Sequence, residues 1–138
     1  MVNQQFTFAV HILTALAFSR EEVIGSQTLA ASVNTNPVVV RRLLLTLRRA
    51  GLIETFTGKH GGARLRRRPH RISLMDIYDA VESRPVILVN ERKALRECHV
   101  SCNMKGIMSS VAESTEQAVR THLRRITLAQ LIRKMHSR

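Results

Sequence analysis

The sequence predicts a mainly α-helical fold: a winged helix-turn-helix with a two-stranded wing, followed by a long C-terminal dimerisation helix. Three observations predict it. Apolar residues recur at helical spacing through most of the chain. A short second helix runs through a tight turn into a capped, basic third helix, and a glycine-rich basic hairpin follows at once. Composition agrees: 44% of the 138 residues are hydrophobic, but aromatics make up 4% and Trp is absent. A core of Leu, Val, Ile and Ala favours helix packed on helix over a sheet sandwich.

A first helix is expected over residues 4–19, where Phe6, Val10, Leu13, Leu16 and Ala17 share one face. Residues 20–25 make a short connection, and Ser26 is read as the cap of a second helix over 27–33. The turn Asn34-Thr35-Asn36-Pro37 then offers Asn36 as N-cap and Pro37 at the first helical position, where its missing N–H costs nothing. The third helix, 37–50, stops at Gly51. Val40, Leu43, Leu44 and Leu47 form its core stripe, and Val38, Arg42, Leu45 and Arg49 the opposite side, with Arg41 at the flank.

Residues 52–57 read as a strand, Gly58-Lys59-His60-Gly61-Gly62 as a turn and 63–67 as the returning strand, ended by Pro69. Ser73-Leu74-Met75-Asp76 has the form of a capping box, with Asp in place of Glu, opening a fourth helix to Glu82. Residues 84–102 show no strong period and read as a loop with at most a helical turn. A long helix is expected from about Asn103 to Arg124, and Thr127 to Gln130 opens a short final one through Met135. The chain is thus divided into a DNA-binding unit, 1–82, and a sensor loop with dimerisation helices, 83–138.

The net charge is +12, and it is concentrated. Between Arg41 and Arg71 lie ten basic residues and a single acid, Glu54, so this stretch supplies +9 of the +12. Concentration on that scale implies a contact face for nucleic acid, because each neutralised phosphate releases counterions. A helix fits the major groove and its N-terminal residues reach base edges, here Asn36, Val38, Val39 and Arg41. Arg42, Arg48 and Arg49 suit phosphates, and Lys59, His60 and Arg64 of the wing suit the minor groove or its flanking phosphates. The opposing use of such charge is nonspecific binding by an architectural protein; the capped third helix and the wing favour sequence-specific reading of double-stranded DNA.

Cys98 and Cys102 lie in a basic setting with Arg92, Lys93, Arg96, His99 and Lys105. Three readings follow from the residues: a redox-reactive pair, favoured where a thiol sits just before a helix; two inert thiols; or a metal or iron–sulfur site. The last needs ligands from His99 or a second subunit, because two cysteines do not complete a four-ligand site. No protease, hydrolase, P-loop or dinucleotide-binding motif occurs, which argues against an enzyme. No apolar run approaches the ~20 residues that span a bilayer, and no signal-peptide pattern opens the chain, so no membrane partner and a cytoplasmic location are expected. Along the long helix, Met104, Met108, Val111, Thr115 and Ala118 follow one stripe, with little in this half of the chain to cover it; this is the expected homodimer contact.

Four segments carry a resemblance: LRRAGLIET at 47–55, GKHGGARL at 58–65, ISLMDIYDAVE at 72–82 and RITLAQL at 125–131. In order and spacing they are similar to the Rrf2 family of bacterial winged-helix transcription regulators. The resemblance implies a homodimer built on the long helix and a third helix that reads a pseudo-palindromic operator. It puts Val38, Val39 and Arg41 at base-reading positions and Gly58 to Gly62 in the wing. Several family members hold an iron–sulfur cluster on three cysteines before the long helix. This chain has two, and CHVSCNMKGIM at 98–108 resembles the branch without the full triad, some of whose members sense oxidants or sulfur species through thiols. No cofactor or metal is therefore expected, with a cluster-dependent regulator as the alternative.

Overall fold

A computed structural model describes residues 4–19, 22–82 and 84–136. Its element order is α1 (Gln5–Phe18), α2 (Ser26–Val33), α3 (Pro37–Arg49), β1 (Ile53–Phe56), β2 (Gly62–Leu65), a 3-10 turn (Pro69–Arg71), α4 (Leu74–Val81), α5 (His99–Arg124) and α6 (Leu128–His136). Contacts divide the described residues into two compact units, one within 4–82 and 123–136, the other within 84–122.

The first unit is the winged helix-turn-helix. Its core takes Ala9, Ile12, Leu13 and Leu16 from α1 and the whole stripe Val40, Leu43, Leu44 and Leu47 from α3. Leu52, Ile53, Ala63, Ile72 and Ile77 close it from the wing and α4. Each fully buried Leu or Ile contributes roughly 1.5–3 kcal/mol relative to exposure. Thr14 is the one buried polar residue among those described, and its hydroxyl donates to the Val10 carbonyl at 2.6 Å.

Local chemistry sets the helix ends. The Asn36 side chain accepts the Val38 N–H at 2.8 Å, with Pro37 at the first turn, as its sequence predicts. At the other end of α3, Gly51 takes φ +77°, its N–H donates to the Arg48 carbonyl at 2.9 Å, and the Leu52 N–H donates to the Leu47 carbonyl at 3.1 Å. These two hydrogen bonds satisfy the Arg48 and Leu47 carbonyls in the last turn of the helix and drop Leu52 into the core. Ser73 and Asp76 form a complete capping box on α4. Thr127 and Gln130 exchange the same pair of backbone-to-side-chain bonds at 3.3 Å ahead of α6.

Four sequence expectations are corrected. Ser26 is the first residue of α2, not its cap; Gly25 holds the cap position and makes no side-chain bond there. Of the connection 20–25, Arg20 and Glu21 lie outside the described residues, but Ile24 is part of the wing: it exchanges two 2.9 Å backbone bonds with Ala63. The long helix begins at His99, four residues before the expected Asn103, so Cys102 lies within its first turn. The final helix, which the sequence division placed with residues 83–138, packs in the first unit: Leu128 is fully buried in that core and its N–H donates to the Ile72 carbonyl at 3.0 Å.

Residues 84–98 form an irregular loop, and α5 runs for 26 residues, about 39 Å at 1.5 Å per residue, with all but its last two residues in the second unit. None of the α5 residues is buried. Lys105 pairs with Glu91 at 2.8 Å, and the Leu95 N–H donates to the Ser101 hydroxyl at 2.8 Å, tying the loop to the start of the helix.

Candidate nucleic-acid interface

One face of α3 is core, so the other must be surface. Arg41, Arg42, Arg48 and Arg49 are exposed along it, and no acidic residue occurs in the helix. Two apolar side chains stand among them: Val38, 52% exposed, and Leu45, 39% exposed. Asn36 spends its carbonyl oxygen on the N-cap, which fixes the start of the helix. Val39 is half-buried and packs against the core, unlike its neighbour Val38.

The wing lies beside this helix. β1 and β2 pair antiparallel, with Ile53 opposite Leu65, Glu54 opposite Arg64 and Phe56 opposite Gly62. Lys59 and His60 are exposed at its tip. At Gly62 the backbone passes so close to the Ile24 carbonyl that a Cβ would collide with it, and φ is +152°. Glycine at 62 is therefore what lets the Ile24 segment pair with the hairpin and hold it.

A cleft of about 350 Å³ separates α3 from the wing, with Arg41 and Arg48 on the helix side and Thr55, Phe56 and Gly58 on the wing side. Ser26, at the start of α2, also lines it. Sequence reading passed over Ser26 and Phe56 as contributors to this surface. The signal for Ser26 was its place at a helix start, where backbone N–H groups favour an anion.

Arg64 is the wing residue whose surroundings differ most from expectation. Its guanidinium donates to Glu54 Oε2 from Nε at 3.2 Å and from Nη2 at 3.1 Å, and it lies over the Phe56 ring at 5.0 Å. The one acid in the basic stretch thus holds Arg64 against the hairpin. Arg67 is similarly placed, 3.9 Å from Asp76.

The two thiols sit at the start of α5. Cys98 precedes the helix, and its Sγ accepts the Ser101 N–H at 3.4 Å in the manner of an N-cap. Cys102 Sγ–H donates to the Leu95 and Arg96 carbonyls at 3.4 and 3.3 Å. No Ser, Thr, Asp or Asn stands at the cap position, which is why the sequence placed the helix start too late. The sulfur of Cys98 does that work.

The Rrf2 family profile, described as that of an iron-dependent transcriptional regulator, matches residues 2–134. YwnA of Bacillus subtilis strain 168, assigned as an HTH-type transcriptional regulator, is 32% identical over 123 residues, covering 89% of this chain and 90% of YwnA. A transcriptional regulator from Lactobacillus plantarum has a similar structure, with a TM-score of 0.83 at 23% identity over 96% of this chain and 90% of that one. CymR, the global cysteine regulator of B. subtilis, has a TM-score of 0.68 at 22% identity over 95% of each chain. At these identities the two structures bear on the fold alone.

Iron in the family description raises the question of ligands. Among the described residues no group of three or more His, Cys, Asp or Glu is placed to hold a metal ion. Cys98 and Cys102 are the only cysteines in the sequence, and both sulfurs engage backbone groups. Two thiols do not fit a four-ligand cluster held by one chain.

Proposed function

This chain belongs to the Rrf2 family of transcriptional regulators, and we propose that it is a homodimeric, cluster-free repressor acting in the cytoplasm, with DNA binding under thiol control. The observation that carries the DNA-binding reading is the exposed α3 face, where four arginines and two apolar side chains adjoin a basic wing. The arginines suit guanine edges and phosphates, and Val38 suits a thymine methyl. In a dimer two such helices enter successive major grooves of a pseudo-palindromic operator, with half-site centres ~34–36 Å apart or a multiple of that.

The dimer reading is supported by α5. Met104, Ile107 and Val111 are 43%, 54% and 42% exposed on a helix with no buried residue. With Met108, Thr115 and Ala118 they form an apolar stripe that a second copy would cover.

The test of the reading residues is footprinting with a salt titration. Arg41→Ala should relax base preference and cost ~1–3 kcal/mol, whereas Arg48→Ala should weaken all sequences about equally. Unchanged preference in Arg41→Ala would remove that residue from the reading set.

Thiol control works through the cap. Residues four apart along a helix are about 6 Å apart, within the Cα separation a disulfide accepts. A peroxide oxidises one thiolate to sulfenic acid with release of water or alcohol. The second thiol then displaces water to form the disulfide. The bond takes Cys98 Sγ from the Ser101 N–H and Cys102 Sγ from its two carbonyls, unwinding the first turn of α5 and changing the spacing of the two recognition helices. Operator affinity is measured with reductant and with mild peroxide for the parent, Cys98→Ser and Cys102→Ser. The parent should lose affinity on oxidation and both variants should not; a parent equal in the two states ends the thiol reading.

A further inference from the structure

Six of the ten basic residues between Arg41 and Arg71 belong to α3, the wing turn or β2. The other four, Arg66, Arg67, Arg68 and Arg71, follow the wing. We propose that Arg66, Arg68 and Arg71 form a second phosphate-binding surface, which holds the backbone of duplex DNA flanking each half-site. This rests on the DNA-binding reading and adds to it a contact outside α3 and the wing tip.

Arg67 is set apart by its pairing with Asp76. Arg66, Arg68 and Arg71 are exposed, and their side chains have no hydrogen bond, ion pair or ring contact among the described residues. A guanidinium keeps its charge across the pH range of folded proteins. Three like charges therefore stand within six residues that contain no acid. Such crowding opposes the compact state by self-repulsion, and a row of phosphates relieves it. The segment is also held in shape. The Arg66 N–H donates to the Leu52 carbonyl at 3.0 Å, the Arg71 N–H donates to the Arg68 carbonyl at 2.8 Å across the 3-10 turn, and Ile72 beyond it is fully buried. A backbone fixed in advance leaves only side-chain freedom to lose on binding.

Position selects the partner. The bond between Leu52 and Arg66 puts the segment beside the end of α3 that carries Arg48 and Arg49. The basic surface thus continues from the reading helix within the first unit. None of the three arginines lines the cleft between α3 and the wing. Arg66 lies four residues along the hairpin from Gly62, about 14 Å at ~3.4 Å per residue. That is the rise of about four base pairs of duplex. A protein partner would need apolar surface at the centre of its contact. Residues 66–71 offer only Pro69, which is half-buried.

Hydroxyl-radical footprinting compares the parent with the triple variant Arg66→Gln/Arg68→Gln/Arg71→Gln on one long duplex that carries the operator. The parent should protect about four base pairs more at each end. On a duplex trimmed to the footprint of the variant, the two proteins should bind alike in fluorescence anisotropy. With flanks of unrelated sequence restored, the parent should gain about tenfold in affinity at low salt, and its salt slope should exceed that of the variant by about 0.9 for each phosphate held. Arg66→Lys/Arg68→Lys/Arg71→Lys should keep the steeper slope, because charge carries it. Equal footprints, or a parent indifferent to the flanks, overturn the proposal. So does an equal loss in the Gln variant on trimmed and extended duplexes, which would move these arginines into the operator contact itself. A parent that binds neither duplex strikes the DNA-binding reading, and the proposal with it.

Discussion

Glu54→Gln should strengthen DNA binding and steepen its salt dependence. Glu54 faces Arg64 across the wing and accepts two bonds from its guanidinium, with side chains 43% and 42% exposed. An ion pair that open to solvent contributes less than about 1 kcal/mol to stability. Arg64 also keeps its contact with the Phe56 ring, worth ~0.5–1 kcal/mol. The variant should therefore fold with little change in melting temperature. Released from its carboxylate, Arg64 can take a phosphate. Each added phosphate contact steepens log K against log salt by about 0.9, so affinity should fall ~3.5-fold more than in the parent between 50 and 200 mM salt. Fluorescence anisotropy on one duplex across that range reads the slope. Arg64→Ala alone should move the slope by much less than 0.9, and Glu54→Gln combined with Arg64→Ala should return it toward the parent. A slope in Glu54→Gln equal to that of the parent would refute the reasoning.

Gly62→Ala should lose ~1–3 kcal/mol in urea unfolding, because a side chain at φ +152° is strained and meets the Ile24 carbonyl; a midpoint within error of the parent would count against the Ile24 pairing as the wing's anchor. Ser73→Ala should cost about 1 kcal/mol by removing one half of the α4 capping box, read by the same unfolding curve, with operator affinity of the folded protein unchanged. Val111→Glu should give a monomer in light scattering and lost operator affinity, since two like charges would be buried together at a two-fold contact; a dimer with full affinity would remove α5 from the interface.

What could be read from the sequence was local. The stripe Val40, Leu43, Leu44 and Leu47 is buried as its spacing predicts, because helical periodicity is written in neighbouring residues. The caps at Asn36, Ser73 and Thr127 are equally local, each closing within three residues. The misses are the long-range pairings. Ile24 joins Ala63 by a single bridge, too short to leave an alternating pattern. The Thr127 box announced α6 correctly, but its docking depends on backbone bonds between 72–74 and 126–128, far apart in the chain. The basic candidates were legible as charges and not as partners: Arg64 looked like Lys59 until the strand register set Glu54 opposite it. Cys98 reads as a loop residue in the sequence because a thiol is an unusual helix cap.

Charge alone separates a nonspecific DNA binder from a regulator poorly, since both need it. The distribution separates them better. Arg64 and Arg67 sit beside carboxylates, an arrangement that lowers net positive charge and fixes side-chain position. On α3, Val38 and Leu45 leave apolar surface exposed between arginines, where further Lys or Arg would serve phosphate neutralisation better. An exposed valine at the second position of a reading helix gains nothing from phosphates but can contact a thymine methyl. Val38→Ser therefore divides the two readings. It keeps every charge, so the salt slope should match that of the parent on any duplex. On the operator it should cost ~1–3 kcal/mol at base pairs that carry the methyl, and substituting uracil for thymine there should cost the parent a similar amount and the variant little. Loss of affinity on operator and random duplex alike would instead assign α3 to backbone contact and favour the architectural reading.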